Sequence, residues 1–220
     1  MKYAKWWVPI LLMAILTPFT PMLDLATTRY FYHDGHFVSN DATNFFYVYG
    51  FWPADMTGVA AAVALLLSYC SIKWKKWRSP ALVLLLTLIL GSGFITHTLL
   101  KDQWGRPRPK QVEEFGGTQA FRPYYEPNFL HQPQPSKSFP CGHCTTGFYF
   151  FALALVGRRL HSPSTYVLSM IFAVALGVAL SVVRIAQGGH FLSDTLISAL
   201  IMWFTALACD WLVYGADDLQ

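Results

Sequence analysis

The chain has 220 residues, of which 54% are hydrophobic and only 13% are charged, about half the charged share of an average globular protein. So few charged side chains cannot cover the surface of a water-soluble domain of this length. The net charge of +4 is small and is scattered along the chain, which excludes a disordered charged tail and argues against nucleic acid as a partner. The composition therefore predicts one domain, residues 1–220, that lies in a lipid bilayer.

Six apolar segments have about the length that a helix needs to cross a bilayer. They run over residues 6–23, about 51–72, 79–100, 141–157, 162–183 and about 190–213. The first segment follows Lys2 and Lys5 and is alternatively a signal peptide, although it is long for one and no clear cleavage site follows it. The pattern predicts an all-α, polytopic membrane protein with a six-helix bundle.

Basic residues predict how the bundle is oriented. They concentrate at the N-terminus and in two short connections, at Lys2, Lys5, Lys73, Lys75, Lys76, Arg78, Arg158 and Arg159. The positive-inside rule makes this side cytoplasmic and places both termini there. Segments 24–49, 101–140 and 185–189 then face outward. The 101–140 segment is rich in Pro, Gly and Gln and is longer than a turn requires, so we expect it to carry part of a functional site.

Ionisable side chains gather at the predicted outer helix ends, where their cost makes each a candidate for function. They are Lys101, Arg106, Arg108, His143, Arg184, His190 and Asp194. Any one of them taken alone is better explained as an interfacial anchor. Their convergence from four separate helix ends instead favours a site for an anion.

Phosphate chemistry suits this set of residues. The cations could clamp the non-bridging oxygens of a phosphoryl group. The fourth helix begins at Cys141, Gly142 and His143, so its first N–H groups and its dipole would face the same anion. His190 and Asp194 are four residues apart, and the carboxylate could orient a neutral, nucleophilic imidazole. His143 could then protonate the leaving oxygen.

These residues resemble the signature of the type 2 phosphatidic acid phosphatase superfamily of integral-membrane lipid phosphatases. Its three motifs are K-x6-R-P, P-S-G-H and S-R-x5-H-x3-D. The chain reads Lys101-x6-Arg108-Pro109, Pro140-Cys141-Gly142-His143 and Arg184-x5-His190-x3-Asp194, in the same order. The match spans residues 101–194, and the six predicted helices extend the resemblance to most of the chain.

The resemblance implies a hydrolase of lipid phosphomonoesters or pyrophosphates, with its site at the periplasmic face of the inner membrane. It implies that His190 forms a phosphohistidine, that Asp194 orients it and that His143 is the general acid. Phosphate-binding residues would be Lys101, Arg108, Arg184, Cys141 and Gly142. The resemblance implies neither metal nor other cofactor, and a membrane-lipid phosphate as the partner; the sequence leaves the oligomeric state open.

Two positions depart from the family pattern. Cys141 replaces the serine of P-S-G-H, and Val183 replaces the serine before Arg184. A thiol is a weaker hydrogen-bond donor than a hydroxyl, and a thiolate would repel phosphate. Backbone N–H contacts do not depend on either side chain, so we expect activity to persist.

Other functions use the same residues. Cys141 and Cys144 form the C-x-x-C of disulfide oxidoreductases, although an apolar helix replaces the βαβ context of that class. His143, His190 and Asp194 have the ligand types of a zinc site, which the nearby cations oppose. A transporter would carry its charges near the membrane midplane. A phosphotransferase would use the same phosphohistidine and a second lipid as acceptor.

The resemblance leaves several substrates open: lipid A phosphate, phosphatidylglycerol phosphate, undecaprenyl pyrophosphate and phosphatidic acid. The run Gly105-Arg-Pro-Arg-Pro109 and the stretch Glu113-Glu-Phe-Gly-Gly117 are similar to those of bacterial lipid A phosphatases. We therefore expect a slight preference for lipid A.

Overall fold

A computed structural model of the chain describes residues 4–129 and 136–215. Lys2 and part of the 101–140 segment, residues 130–135, lie outside the described residues. The helices within them are α1 (Ala4–Leu16), α2 (Thr20–Tyr30), α3 (Asp41–Tyr49), α4 (Trp52–Cys70), α5 (Arg78–Thr87), α6 (Gly142–Phe148), α7 (Phe150–Arg159), α8 (Pro163–Ala186) and α9 (Leu192–Tyr214).

Shorter elements join these helices. A π-helix, Leu88–Lys101, continues α5, and short 3₁₀ turns cover Thr17–Phe19, Ile72–Trp77, Pro109–Gln111 and Glu113–Phe115. Strands β1 (Tyr32–His33) and β2 (His36–Phe37) form an antiparallel hairpin after α2. The mostly helical architecture confirms the all-α part of the predicted fold class.

Five helical stretches in the described ranges are long and apolar enough to cross a membrane. They are Ala4–Tyr30, Asp41–Cys70, Ile72–Lys101, Pro163–Ala186 and Leu192–Tyr214. Large apolar side chains on them point away from the protein, as Leu66 does at 67% exposure and Leu168 at 66%. An integral membrane protein accounts for this surface, because lipid rather than water covers it.

The predicted span at 141–157 has a different form. It consists of α6 and α7, which meet at Tyr149, and this residue retains right-handed helical torsion angles (φ −52°, ψ −32°). Most side chains of both helices are buried, because the pair lies between α5, α8 and α9. The α6–α7 pair therefore forms the centre of the helix bundle.

Two glycines allow α6 to approach α8 closely. A Cβ atom on Gly147 would lie 2.6 Å from the Cα of Gly177, and a Cβ atom on Gly177 would lie 2.3 Å from the ring of Phe148. Small residues at helix crossings permit such close backbone contact in membrane proteins. The crossing determines how far the start of α6 lies from the end of α8.

Residues 24–49, predicted to face outward between the first two spans, contain the end of one helix and the whole of another. Helix α2 continues to Tyr30 and buries Asp24, and α3 occupies the end of the segment. A capping box begins α3: Thr43 N–H donates to Asn40 Oδ1 at 2.9 Å, and Asn40 N–H donates to Thr43 Oγ1 at 3.1 Å. The apolar stretch in α3 is too short to be recognised as a helix from the sequence.

We expect Gly147→Ala to lower the free energy of unfolding by about 1–3 kcal/mol, because the added methyl group overpacks the α6–α8 crossing. Gly93→Ala is the matched control, since its Cβ would come no closer than 3.9 Å to Leu88 O and alanine favours the helix. Thermal unfolding in detergent measures both variants. Equal melting temperatures for the two variants would contradict the tight crossing.

Candidate active site

His190 and Asp194 form a buried pair at the start of α9. Their side chains are 1% and 0% exposed, and His190 Nδ1 lies 3.6 Å from Asp194 Oδ2. Asp194 lies in the first turn of α9, whereas His190 precedes the helix, which begins after Phe191. Burial lowers the pKa of His190 to about 4, because the imidazolium ion loses its hydration. The ring is therefore neutral near pH 7.

Three donors hold the Asp194 carboxylate in place. Ser138 Oγ donates to Oδ2 at 2.6 Å, and the Phe191 N–H donates to the same oxygen at 2.9 Å. Arg106 Nη1 donates to Oδ1. With both oxygens engaged, the carboxylate has one orientation, and in it Oδ2 faces the imidazole.

Arg106 connects this pair to α2. Its Nη2 donates to Asp24 Oδ2 at 2.7 Å, and its Nη1 donates to Ser193 Oγ at 2.8 Å. Ser193 in turn donates its N–H to Asp24 Oδ1 at 2.7 Å and its hydroxyl to Oδ2 at 2.6 Å. Sequence reasoning grouped Arg106 with the outward cations and missed Asp24, Ser193 and Ser138. The sequence does contain a signal for Asp24, because this acidic residue directly follows the first apolar segment, residues 6–23.

The three predicted phosphate-binding cations lie near one another, and two of them lie near His190. Arg108 and Arg184 lie within electrostatic range of Lys101, and Lys101 and Arg184 lie within such range of His190. The Nε atoms of Arg108 and Arg184 are buried and have no hydrogen-bond partner in the described residues. Because buried donors are normally satisfied, this pocket of positive charge suits an anion.

Gln187 and Tyr47 hold the Arg184 guanidinium from two directions. Its Nη1 donates to Gln187 Oε1 at 2.7 Å, and its carbon lies 4.7 Å from the centre of the Tyr47 ring. A Cβ atom on Gly189 would lie 2.4 Å from Nη2. Glycine at that position therefore leaves the space that the guanidinium occupies.

His143 packs against the same Tyr47. The two rings stack with centroids 4.9 Å apart and an interplanar angle of 14°, and His143 Nε2 lies 3.2 Å from the Tyr47 carbonyl oxygen. Arg184 and Lys101 both lie within electrostatic range of His143. Sequence reasoning missed Tyr47, whose signal was the aromatic stretch 45–49 in a segment predicted to face outward.

Cys141 differs from its predicted role as a phosphate-binding residue. Its sulfur forms a disulfide with Cys144, and its N–H donates to Ser198 Oγ at 2.9 Å. It therefore offers neither a thiol donor nor a free N–H to a ligand. The next two N–H groups, of Gly142 and His143, have no partner within the described ranges.

Gly142 lets two side chains approach the start of α6. A Cβ atom there would lie 3.2 Å from Lys101 Nζ and 2.7 Å from His97 Nε2. Lys101 is thus held against the helix N-terminus, whose free N–H groups and dipole attract anions. His97 also borders this site.

The geometry does not favour the alternative chemistries. Within residues 4–129 and 136–215, no three His, Cys, Asp or Glu side chains are grouped in a way that could hold a metal ion. In the same ranges, β-structure consists of the β1–β2 hairpin and one isolated bridge between Val112 and Gln119. The sheet of a thioredoxin-like oxidoreductase does not surround the disulfide.

Comparison with known proteins agrees with the geometry. Residues 80–217 match the model of the PAP2 superfamily. The lipid A 4'-phosphatase of Francisella tularensis subsp. novicida (strain U112) is 32% identical over 195 residues, which cover 82% of each chain. No solved structure matches the chain.

Two further relatives match over shorter stretches. The lipid A 4'-phosphatase of Rhizobium leguminosarum is 32% identical over 127 residues, 56% of this chain and 51% of the relative. A lipid A 1-phosphatase of Rhizobium etli is 30% identical over 137 residues, 61% and 51% of the two chains. The chain therefore belongs to the PAP2 superfamily, and it is a membrane lipid phosphatase that hydrolyses a phosphomonoester.

Proposed function

We propose that this phosphatase removes a phosphate group from lipid A at the periplasmic face of the inner membrane, through a phosphohistidine on His190. The observation that carries the proposal is the neutral, carboxylate-backed imidazole beside the cations Lys101 and Arg184. A nucleophile and a phosphate clamp are the two parts that phosphoryl transfer needs.

The chemistry can be assigned to named atoms. Asp194 faces Nδ1 of His190, so Nε2 attacks phosphorus while the bond from phosphorus to the lipid oxygen breaks. His143 donates a proton to that leaving oxygen. Lys101, Arg108 and Arg184 neutralise the three non-bridging oxygens, and the N–H groups of Gly142 and His143 add to this at the start of α6.

Hydrolysis of the intermediate completes the cycle. His143, now neutral, accepts a proton from a water molecule as the water oxygen attacks phosphorus. The phosphorus–nitrogen bond breaks, and the electron pair returns to His190 Nε2. The products are inorganic phosphate and the starting enzyme. A lipid hydroxyl in place of water would give the phosphotransferase that the sequence left open.

Relatives support lipid A as the substrate class. The relative from Francisella tularensis subsp. novicida, which aligns over 82% of this chain, is a lipid A 4'-phosphatase, as is that from Rhizobium leguminosarum. The 1-phosphatase of Rhizobium etli has 30% identity over a shorter stretch. We therefore assign the 4'-phosphate as the preferred position.

We further propose six membrane spans with both termini in the cytoplasm. Helices α6 and α7 together cover residues 142–159, and 18 residues of helix rise about 27 Å, close to the thickness of the hydrocarbon core. Lys75 and Lys76 precede α5, and Arg158 and Arg159 end α7. They lie at the helix ends opposite the site, as the positive-inside rule requires of an outward-facing site.

We expect His190→Ala to lower the rate of phosphate release by roughly 10³-fold or more, as removal of a catalytic nucleophile does. Rapid quenching with radiolabelled substrate should trap an acid-labile, alkali-stable label on the wild type and none on the variant. His33→Ala, which changes an exposed histidine, should keep both label and turnover. A covalent label that persists in His190→Ala would contradict the proposed nucleophile.

Lipid A with both phosphates should lose its 4'-phosphate with a kcat/KM roughly tenfold or more above that for phosphatidic acid, a difference of about 1.4 kcal/mol in transition-state binding. Mass spectrometry of the product identifies the position. Faster reaction of phosphatidic acid or phosphatidylglycerol phosphate would contradict the substrate assignment. Label that appears in a second lipid without free phosphate would indicate a phosphotransferase.

Replacing both Cys141 and Cys144 by serine should lower the free energy of unfolding by about 2 kcal/mol, the value expected for a cross-link that closes so short a loop. The kcat/KM should stay within roughly tenfold of wild type, because the Cys141 sulfur donates nothing to the substrate. Cys70→Ser, at an exposed free cysteine, is the matched control. Loss of activity in the double variant, with His190→Ala still active, would indicate redox chemistry.

A further inference from the structure

Three charged side chains meet out of contact with solvent beside the nucleophile. Asp24 comes from α2, Arg106 from the 101–140 segment and Asp194 from α9, and their side chains are 1%, 0% and 0% exposed. Burial of charge is costly, so an ionic cluster of this kind must be fully paired to persist. Asp24 and Arg106 have no part in the chemistry described above.

We propose that Asp24 is a positioning residue for catalysis, which acts through Arg106 and Ser193 to set the orientation and the effective charge of Asp194. The proposal rests on the function proposed for His190. It assigns to α2, which lies outside the residues that match the family model, a contribution to the reaction.

Arg106 is not placed to bind phosphate itself. Its Nε donates to the carbonyl oxygen of Arg122 at 2.9 Å, and its two terminal nitrogens are engaged by Asp24, Ser193 and Asp194. The Phe191 ring lies 4.5 Å from its guanidinium carbon. Each of its nitrogens has a protein acceptor, whereas the Nε atoms of Arg108 and Arg184 have no partner among the residues that the structure describes.

The charge balance explains why a second carboxylate is useful. An arginine paired with Asp194 alone would neutralise that carboxylate and weaken its hold on His190. Asp24 shares the guanidinium, so the three groups carry one net negative charge. That charge faces an imidazole that becomes positive as it attacks phosphorus. In a site of low dielectric such a charge acts strongly over a few ångströms.

Ser193 adds a geometric link. It donates two hydrogen bonds to Asp24 and immediately precedes Asp194 in the first turn of α9. Asp24 therefore anchors the backbone that carries Asp194 as well as the guanidinium that binds it. A movement of α2 would therefore displace the Asp194 carboxylate through both connections.

The first test is Asp24→Asn, which keeps the size of the side chain and removes its charge. We expect kcat to fall by about 10- to 100-fold, as it does when a residue that orients a metal-binding side chain is replaced. The KM should stay within about threefold of wild type. The rate of phosphohistidine formation, measured by rapid quenching, should fall with kcat. Asp34→Asn makes the same change at an exposed turn residue with positive φ, where asparagine is tolerated, and should have wild-type kinetics.

A second pair of variants tests the route through Arg106. Arg106→Gln leaves two buried carboxylates without their cation, and we expect it to lose both melting temperature and activity. Adding Asp24→Asn to it restores one net negative charge. The double variant should therefore have a higher melting temperature and a higher kcat than Arg106→Gln alone.

Three results would overturn the proposal: an unchanged kcat in Asp24→Asn, a kcat that falls only in proportion to the folded fraction, or a double variant that is no better than Arg106→Gln. Rates are therefore expressed per folded enzyme, from thermal unfolding of the same samples. Wild-type activity in Asp24→Asn together with an inactive, unlabelled His190→Ala would reject the role of Asp24 and retain the nucleophile. A labelled His190→Ala would reject the function on which the proposal rests.

Discussion

The site depends on a single buried arginine that is shared between two carboxylates. Taking a charge out of water costs several kcal/mol even after the protein relaxes, so Arg106, Asp24 and Asp194 can be buried only as a group. The three side chains belong to different helices or segments, which must therefore pack together at one point. That requirement places α2 against the start of α9, with Arg106 between them.

The two sides of the site are held by different forces. On the side of His190, hydrogen bonds from Ser138, Phe191 and Arg106 leave the Asp194 carboxylate little freedom. On the side of His143, the main contact is the stacked ring of Tyr47. Exposed aromatic residues such as Phe45 flank Tyr47 on α3, and aromatic residues favour the membrane–water interface. The proposed nucleophile is thus fixed within the protein, and the proposed acid stacks on a helix whose exposed aromatic residues suit the membrane–water interface.

The start of α6 is built without the side chain that the family uses there. Ser198 on α9 accepts the Cys141 N–H and donates to the carbonyl oxygens of Cys141 and Asp194, at 2.9, 3.1 and 2.7 Å. The two contacts with Cys141 join the start of α6 to α9 through the Ser198 hydroxyl and the Cys141 backbone. The position of Gly142 and His143 therefore does not require a serine at position 141.

The chain by itself determined the membrane location, most of the helices and the three motifs, because apolar runs and motif spacing are local properties. It also indicated that Lys101, Arg108, Arg184, His143, His190 and Asp194 share one end of the bundle. Tertiary structure decided what these side chains contact. Asp24 and Tyr47 lie in a segment predicted only to face outward, and they contact residues more than 80 positions away, which no local pattern encodes. Whether a polar residue is solvated, paired or left open to a ligand depends on which helices pack beside it.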